Sequence, residues 1–233
     1  MNFSVQIAVD IAAAAFVDRL GFKRGAVIAH ICAAAGLIGL GIFPFVINPP
    51  IIGIIISVVL SAVGGGLCEV IISPVVESLP LENKAANMSI LHSFYCWGQM
   101  AVVLLSTLYF TLLGTESWRF LPMLWAVLPA LNAVLFSVVP IYPLCEPEEK
   151  MSILTLASSP AFLLFFLLMF CAGAAELAMS QWASYFAEQG LMVSKTVGDL
   201  LGPCAFAALM AIVVMLCIQW VGTLLINSML ILP

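Results

Sequence analysis

Residues Gly64–Pro74 read "GGGLCEVIISP" and lie inside an apolar segment, residues 50–76, with one carboxylate, Glu69, among them. A run of about 20 apolar residues crosses the hydrocarbon layer as a helix, because no water there satisfies the backbone and the segment must bond to itself. The stretch therefore reads as part of a membrane helix. Its three glycines read as a small surface that lets another helix approach closely. They precede a glutamate rather than a phosphate-cradling lysine, so they make no P-loop.

The rest of the chain repeats this pattern. Of 233 residues, 64% are hydrophobic and 8% charged, too few ionisable groups to cover a water-soluble domain. Charges, prolines and glycines divide the sequence into seven apolar segments, at about 3–17, 25–47, 50–76, 88–113, 119–141, 161–186 and 197–218, with a short apolar remainder at 219–233. The expectation is an all-α protein, a polytopic bundle of about seven membrane-spanning helices. The net charge of -5 carries little information, since five of the twelve acids fall in or near the loops Glu77–Lys84 and Glu146–Lys150. No basic patch suggests nucleic acid as a partner; the lipid bilayer is the expected one.

Placing the loops alternately on the two sides of the membrane puts Arg19, Lys23, Arg24, Lys84 and Lys150 on one face and Arg119 and Lys195 on the other. The excess of positive charge marks the first face as cytoplasmic. The first segment then starts outside and runs inward, which implies one helix before Met1. "YPLCEPEEKMSILTLASSP", Tyr142–Pro160, is the longest polar interruption and separates two helix groups, with Ser158–Pro160 suited to cap and open the next helix. The expected organisation is a first bundle over 1–142, a cytoplasmic central loop over 143–160 and the start of a second bundle over 161–233. The seven cysteines stand singly, without metal-ligand spacing, and read as packing residues.

Carboxylates at bilayer depth are costly, so they turn toward a bundle interior or an aqueous cavity. Ala62, Gly65, Glu69 and Ser73 recur at helical spacing and form a small polar stripe, with Ile71 and Val75 elsewhere. Two readings stand for Glu69. It gains and loses a proton as a cavity opens to either side, or it locks two helices together by hydrogen bonding. In "ILHSFYCWGQM", His92, Tyr95 and Gln99 share a helical face with donors and acceptors suited to a hydroxylated ligand, and Trp97 offers an aromatic surface. An interhelical hydrogen bond explains His92 equally well. Glu176, with Gly173 and Ser180, repeats the Glu69 pattern in the second group, as a solute contact or as a clamp. Gln6 and Asp10 pair at i, i+4, and Asp10 is a second proton-coupling candidate. Asp199 reads as a helix-start acid.

"VDRLGFKRG", Val17–Gly25, joins the first two segments and resembles the loop signature of the major facilitator superfamily. The resemblance implies a cytoplasmic gate in which Asp18 and Arg19 form the latch, Gly21 turns the chain, and Lys23 and Arg24 face headgroups or the latch. Ala14 stands where the family pattern has glycine. "GLCEVIISPVVESLP" followed by "MSILHSFYCWG" resembles the fourth and fifth helices of the fucose permease branch of sugar–proton symporters. This implies a role for Glu69 in substrate binding and proton coupling, with His92 and Tyr95 at the sugar site. His92 stands where that branch has glutamine. On this likeness the seven segments correspond to helices two to eight of a twelve-helix transporter, a partial major facilitator fold.

The implied function is proton-coupled uptake of a sugar or similar small polar solute by alternating access, at the cell membrane. The alternatives are drug efflux within the same superfamily and a truncated, non-transporting membrane protein. No nucleophile motif, HExxH or metal cluster points to an enzyme, and no cofactor is implied.

Overall fold

The computed structural model describes residues 2–80, 83–141, 158–213 and 216. Every regular element among them is helical, and six helices are long and apolar enough to cross a membrane. This is an all-α membrane protein. The helices are α1 (Asn2–Leu20), α2 (Phe22–Val46), α3 (Pro50–Glu77), α4 (Lys84–Leu113), α5 (Phe120–Trp125), α6 (Val127–Val138), α7 (Pro160–Leu191) and α8 (Lys195–Asp199). Together α5 and α6 make one span, Phe120–Val138, and α8 opens another, Lys195–Val213. Helix α1, which corresponds to the first apolar segment, is 19 residues long, and the apolar stretch among its described side chains is Ser4–Ala13.

The chain divides into two compact units, Met1–Lys84 with Tyr109–Leu144, and Ala85–Leu108 with Cys145–Pro233. Most of α4 thus belongs with the second unit. In the first unit α2 is central, with α3 along one side and α5 and α6 along another. The α2–α3 seam is made of small residues. A Cβ on Gly64 would lie 2.5 Å from the Ala33 nitrogen, and one on Gly36 would lie 2.5 Å from the Ser61 nitrogen. Farther along, a Cβ on Gly53 would stand 2.5 Å from the Phe43 carbonyl carbon. Small residues let two backbones meet, and their packing holds helices together where lipid removes the hydrophobic drive. Ser57 is fully buried there and bonds back to the Gly53 carbonyl at 2.8 Å.

Helix α1 lies along α3, and Ala13, Val17, Ala26, Ala29, Leu67 and Ile71 form the core shared by α1, α2 and α3. Gly21 is the one-residue break between α1 and α2, with a φ of 84°, a conformation that favours glycine. In the second unit α7 doubles back into α8 through Met192–Ser194. Pro160 is the first residue of α7, and Ser159 caps it by conformation rather than by a side-chain bond. Pro203, which has no N–H to give, lies in a π-helical turn, Leu200–Cys204.

Candidate functional site

The α1–α3 seam carries the polar cluster of the first unit. Gln6 Nε2 donates to Glu69 Oε2 at 2.6 Å. One turn farther along α1, Asp10 lies over Gly66, where a Cβ would stand 2.8 Å from Asp10 Oδ1 and 3.1 Å from the Gln6 carbonyl oxygen. The missing Cβ is what lets α1 settle this deep. Asp10 Oδ1 is sealed from the surroundings and has no hydrogen-bond partner among the described residues, while Glu69 lies within its electrostatic range.

Glu69 differs from the sequence reading in one respect. Its side chain is exposed on the rim of the seam, and the enclosed carboxyl oxygen belongs to Asp10. The longer glutamate reaches outward from α3, whereas the shorter aspartate is pressed onto a glycine. The triplet Gly64–Gly66 serves two partners. Gly64 meets Ala29 and Ala33 of α2, and Gly66 meets Gln6, Val9 and Asp10 of α1. Glu69 therefore sits beside a helix crossing on each side, and about two helical turns from the end of α3, roughly 12 Å along the axis.

The chemistry follows from the inventory of donors. An ionised carboxylate only accepts, and a protonated one also donates. Gln6 supplies a hydrogen bond to Glu69, and Asp10 Oδ1 receives none from the described residues. A proton on Asp10 supplies the hydrogen that its enclosed oxygen does not receive from the described residues, where an unpaired buried charge is costly. On the other flank of α3, Cys68 Sγ lies 3.9 Å from His30 Nδ1, which also bonds the Ala26 carbonyl at 2.8 Å, and the His30 ring lies 5.1 Å from that of Phe136. His30 is thereby tied to its own helix.

The remaining nominated solute contacts lie in the second unit. His92, Tyr95 and Trp97 are exposed on α4, and Gln99 is half-buried. At 100° per residue, His92, Tyr95, Cys96 and Gln99 fall within one arc, and Trp97 points about 140° away from His92. Glu176 of α7 acts electrostatically on Cys96, so it lies toward that polar arc of α4. Gly173, Glu176 and Ser180 form a half-buried line on α7, with Ser180 Oγ bonded to its own helix at the Leu177 carbonyl, 3.2 Å. In the gate motif, Lys23 and Arg24 are exposed in the first turn of α2. The side chains of Asp18 and Arg19 lie outside the described residues, as does the loop 143–157.

One cluster has no counterpart in the sequence reading. Ser184 Oγ donates to Asp199 Oδ1 at 2.5 Å and lies 3.1 Å from Glu188 Oε1, while Lys195 Nζ bridges Asp199 at 3.2 Å and Glu188 at 3.5 Å. Asp199 is thus a clasp partner between α7 and α8, and it is the last residue of α8 instead of the expected acid in a helix's first turn. The sequence signal is "GDLLG": a Cβ on Gly202 would lie 2.7 Å from the Ser184 nitrogen, and one on Gly198 would lie 3.1 Å from the Ser184 carbonyl oxygen. These glycines at i, i+4 bring the two helices close enough for the clasp.

Among the described residues no group of three or more His, Cys, Asp or Glu is placed to hold a metal ion. Comparison with protein-family models, curated proteins and solved structures gave no match.

Proposed function

We propose that the protein works as a secondary transporter of the major facilitator type, moving a small polar solute of the sugar class into the cell together with a proton. The observation that carries this reading is the Gln6–Glu69–Asp10 cluster. It is a pair of carboxyls at the seam between α1 and the membrane-spanning length of α3, one reachable and one sealed, with fewer donors than acceptors among the described residues. Ionisable groups at this depth are costly to keep and mark proton or solute pathways. In the working cycle, protonation of the pair favours solute binding at Glu69 from outside, the helix groups rock, and deprotonation accompanies release inside. Asp10 and Glu69 carry the coupling proton; His92, Tyr95, Gln99, Trp97 and Glu176 are the proposed solute contacts. The "VDRLGFKRG" loop, with Asp18, Arg19, Gly21, Lys23 and Arg24, is the proposed cytoplasmic latch.

The test is uptake into proteoliposomes under an imposed proton gradient, with a panel of hexoses, pentoses and lipophilic cations. Uptake of a sugar is expected, and Glu69→Gln is expected to abolish gradient-driven accumulation while sparing exchange of solute across the bilayer. Unchanged accumulation in Glu69→Gln would remove Glu69 from coupling. Export of lipophilic cations without sugar uptake would replace the sugar reading with drug efflux.

A further inference from the structure

We infer that Gln6 is a built-in cover on Glu69: its amide occupies the carboxyl oxygen that a donor-bearing solute uses, so the solute binds by displacing it. The inference rests on the reading of Glu69 as a solute contact, and it adds the competitor and the chemistry that the competitor imitates.

Three features of the seam carry it. The contact is short, 2.6 Å from Nε2 to Oε2, and it is open to the surroundings. Replacing it therefore requires no unpacking of the core. The Gln6 amide is also not gripped by α3 beneath it: even a Cβ on Gly65 would stand 3.9 Å from Cδ and Nε2, so on that face no side chain blocks the amide from swinging aside. Asp10 shows the opposite arrangement, with Oδ1 sealed against the Gly66 backbone. A solute reaching the seam meets Glu69 and not the enclosed oxygen of Asp10, which divides the pair into a solute-facing and an inward carboxyl.

The chemistry of the cover limits what can take its place. Gln6 presents a neutral N–H donor to a carboxyl oxygen, and whatever displaces it must offer a donor of its own. A hydroxyl of a sugar or polyol meets that requirement; an ether, ketone or ester does not. Exchange of one hydrogen bond for another is nearly neutral, so selectivity arises from the penalty on molecules that displace Gln6 and leave Oε2 of Glu69, the accepting oxygen in the ionised and the protonated carboxyl alike, without a donor. Gln6 is on this account a specificity-determining residue that rejects donorless solutes.

The experiment uses the full chain in liposomes and the apolar reagent dicyclohexylcarbodiimide, which modifies protonated membrane carboxyls, with the adduct located by peptide mass spectrometry. Glu69→Gln serves as the blank for that peptide. Gln6→Ala, and Gln6→Met as the variant that keeps side-chain length without the donor, are expected to label at Glu69 roughly fivefold faster than wild type, the ratio set by one net hydrogen bond. L-Fucose and D-glucose are then titrated as protectants, and half-protection in the Gln6 variants is expected at roughly fivefold lower concentration. Equal labelling rates in wild type and both variants would overturn the inference, as would faster labelling with the same half-protecting concentration in all three. Faster labelling in the variants with no protection of any form by either sugar would leave the cover on Glu69 standing and refute the sugar reading of the site.

Discussion

Two neighbouring glycines offer a controlled test of how α1 sits on α3. In Gly66→Ala the new methyl falls 2.8 Å from Asp10 Oδ1, 3.1 Å from the Gln6 carbonyl oxygen and 3.2 Å from Val9 Cβ. Asp10 can turn away, but the Gln6 carbonyl is backbone, and α1 has to move out by several tenths of an ångström. Overpacking of this kind costs about 1–3 kcal/mol. In Gly65→Ala the nearest atoms are the Gln6 amide carbon and nitrogen at 3.9 Å, an ordinary contact. Both substitutions gain the same helix propensity, about 1 kcal/mol. The difference between them therefore isolates the clash at about 1–3 kcal/mol, with Gly65→Ala at or above wild type. For a chain of this size that corresponds to a melting temperature about 2–12 °C lower in Gly66→Ala than in Gly65→Ala. Thermal unfolding of the two purified variants in detergent reads it directly. Equal melting temperatures, or a lower one for Gly65→Ala, would refute the placement of α1 against Gly66.

Gly36→Ala puts a methyl 2.5 Å from the Ser61 nitrogen and 2.7 Å from the Ser57 carbonyl oxygen, both backbone, whereas nothing lies within 4 Å of a Cβ on Gly98. Gly36→Ala is expected to melt below Gly98→Ala by the same scale of about 1–3 kcal/mol, and equal stability would contradict the α2–α3 register. Ser184→Ala removes one donor to Asp199 and leaves Lys195 bonded to it, a loss of about 1–2 kcal/mol for a part-buried bond to a charged group. Hydrogen exchange over 195–202 is expected to quicken in that variant, and unchanged protection would show that the clasp does not hold α8.

The membrane class and the positions of most helices were legible in the sequence because twenty-residue apolar runs have few other solutions. Glycines were legible as packing residues for the same reason, since a glycine in a membrane helix has little else to offer. What the sequence did not show was which partner each glycine serves. Gly64 and Gly66 are two residues apart and face different helices, a distinction that depends on where α1 and α2 lie. Periodicity also put Glu69 on a polar stripe without showing that it stays on the rim while Asp10 is sealed. That outcome follows from side-chain length and a missing Cβ on the facing helix. Ser184 and Asp199 are fifteen residues apart on two helices, so their bond depends on the geometry of the turn at Met192–Ser194, which no periodicity encodes.

If the Asp10–Glu69 pair carries a proton with the solute, sugar entry must consume protons from the medium. Recording the external pH of lightly buffered proteoliposomes on addition of a transported sugar tests this directly. Wild type is expected to alkalinise the medium as sugar enters, and both Asp10→Asn and Glu69→Gln are expected to lose the pH change; sugar entry without alkalinisation, or alkalinisation that persists in both variants, would contradict it.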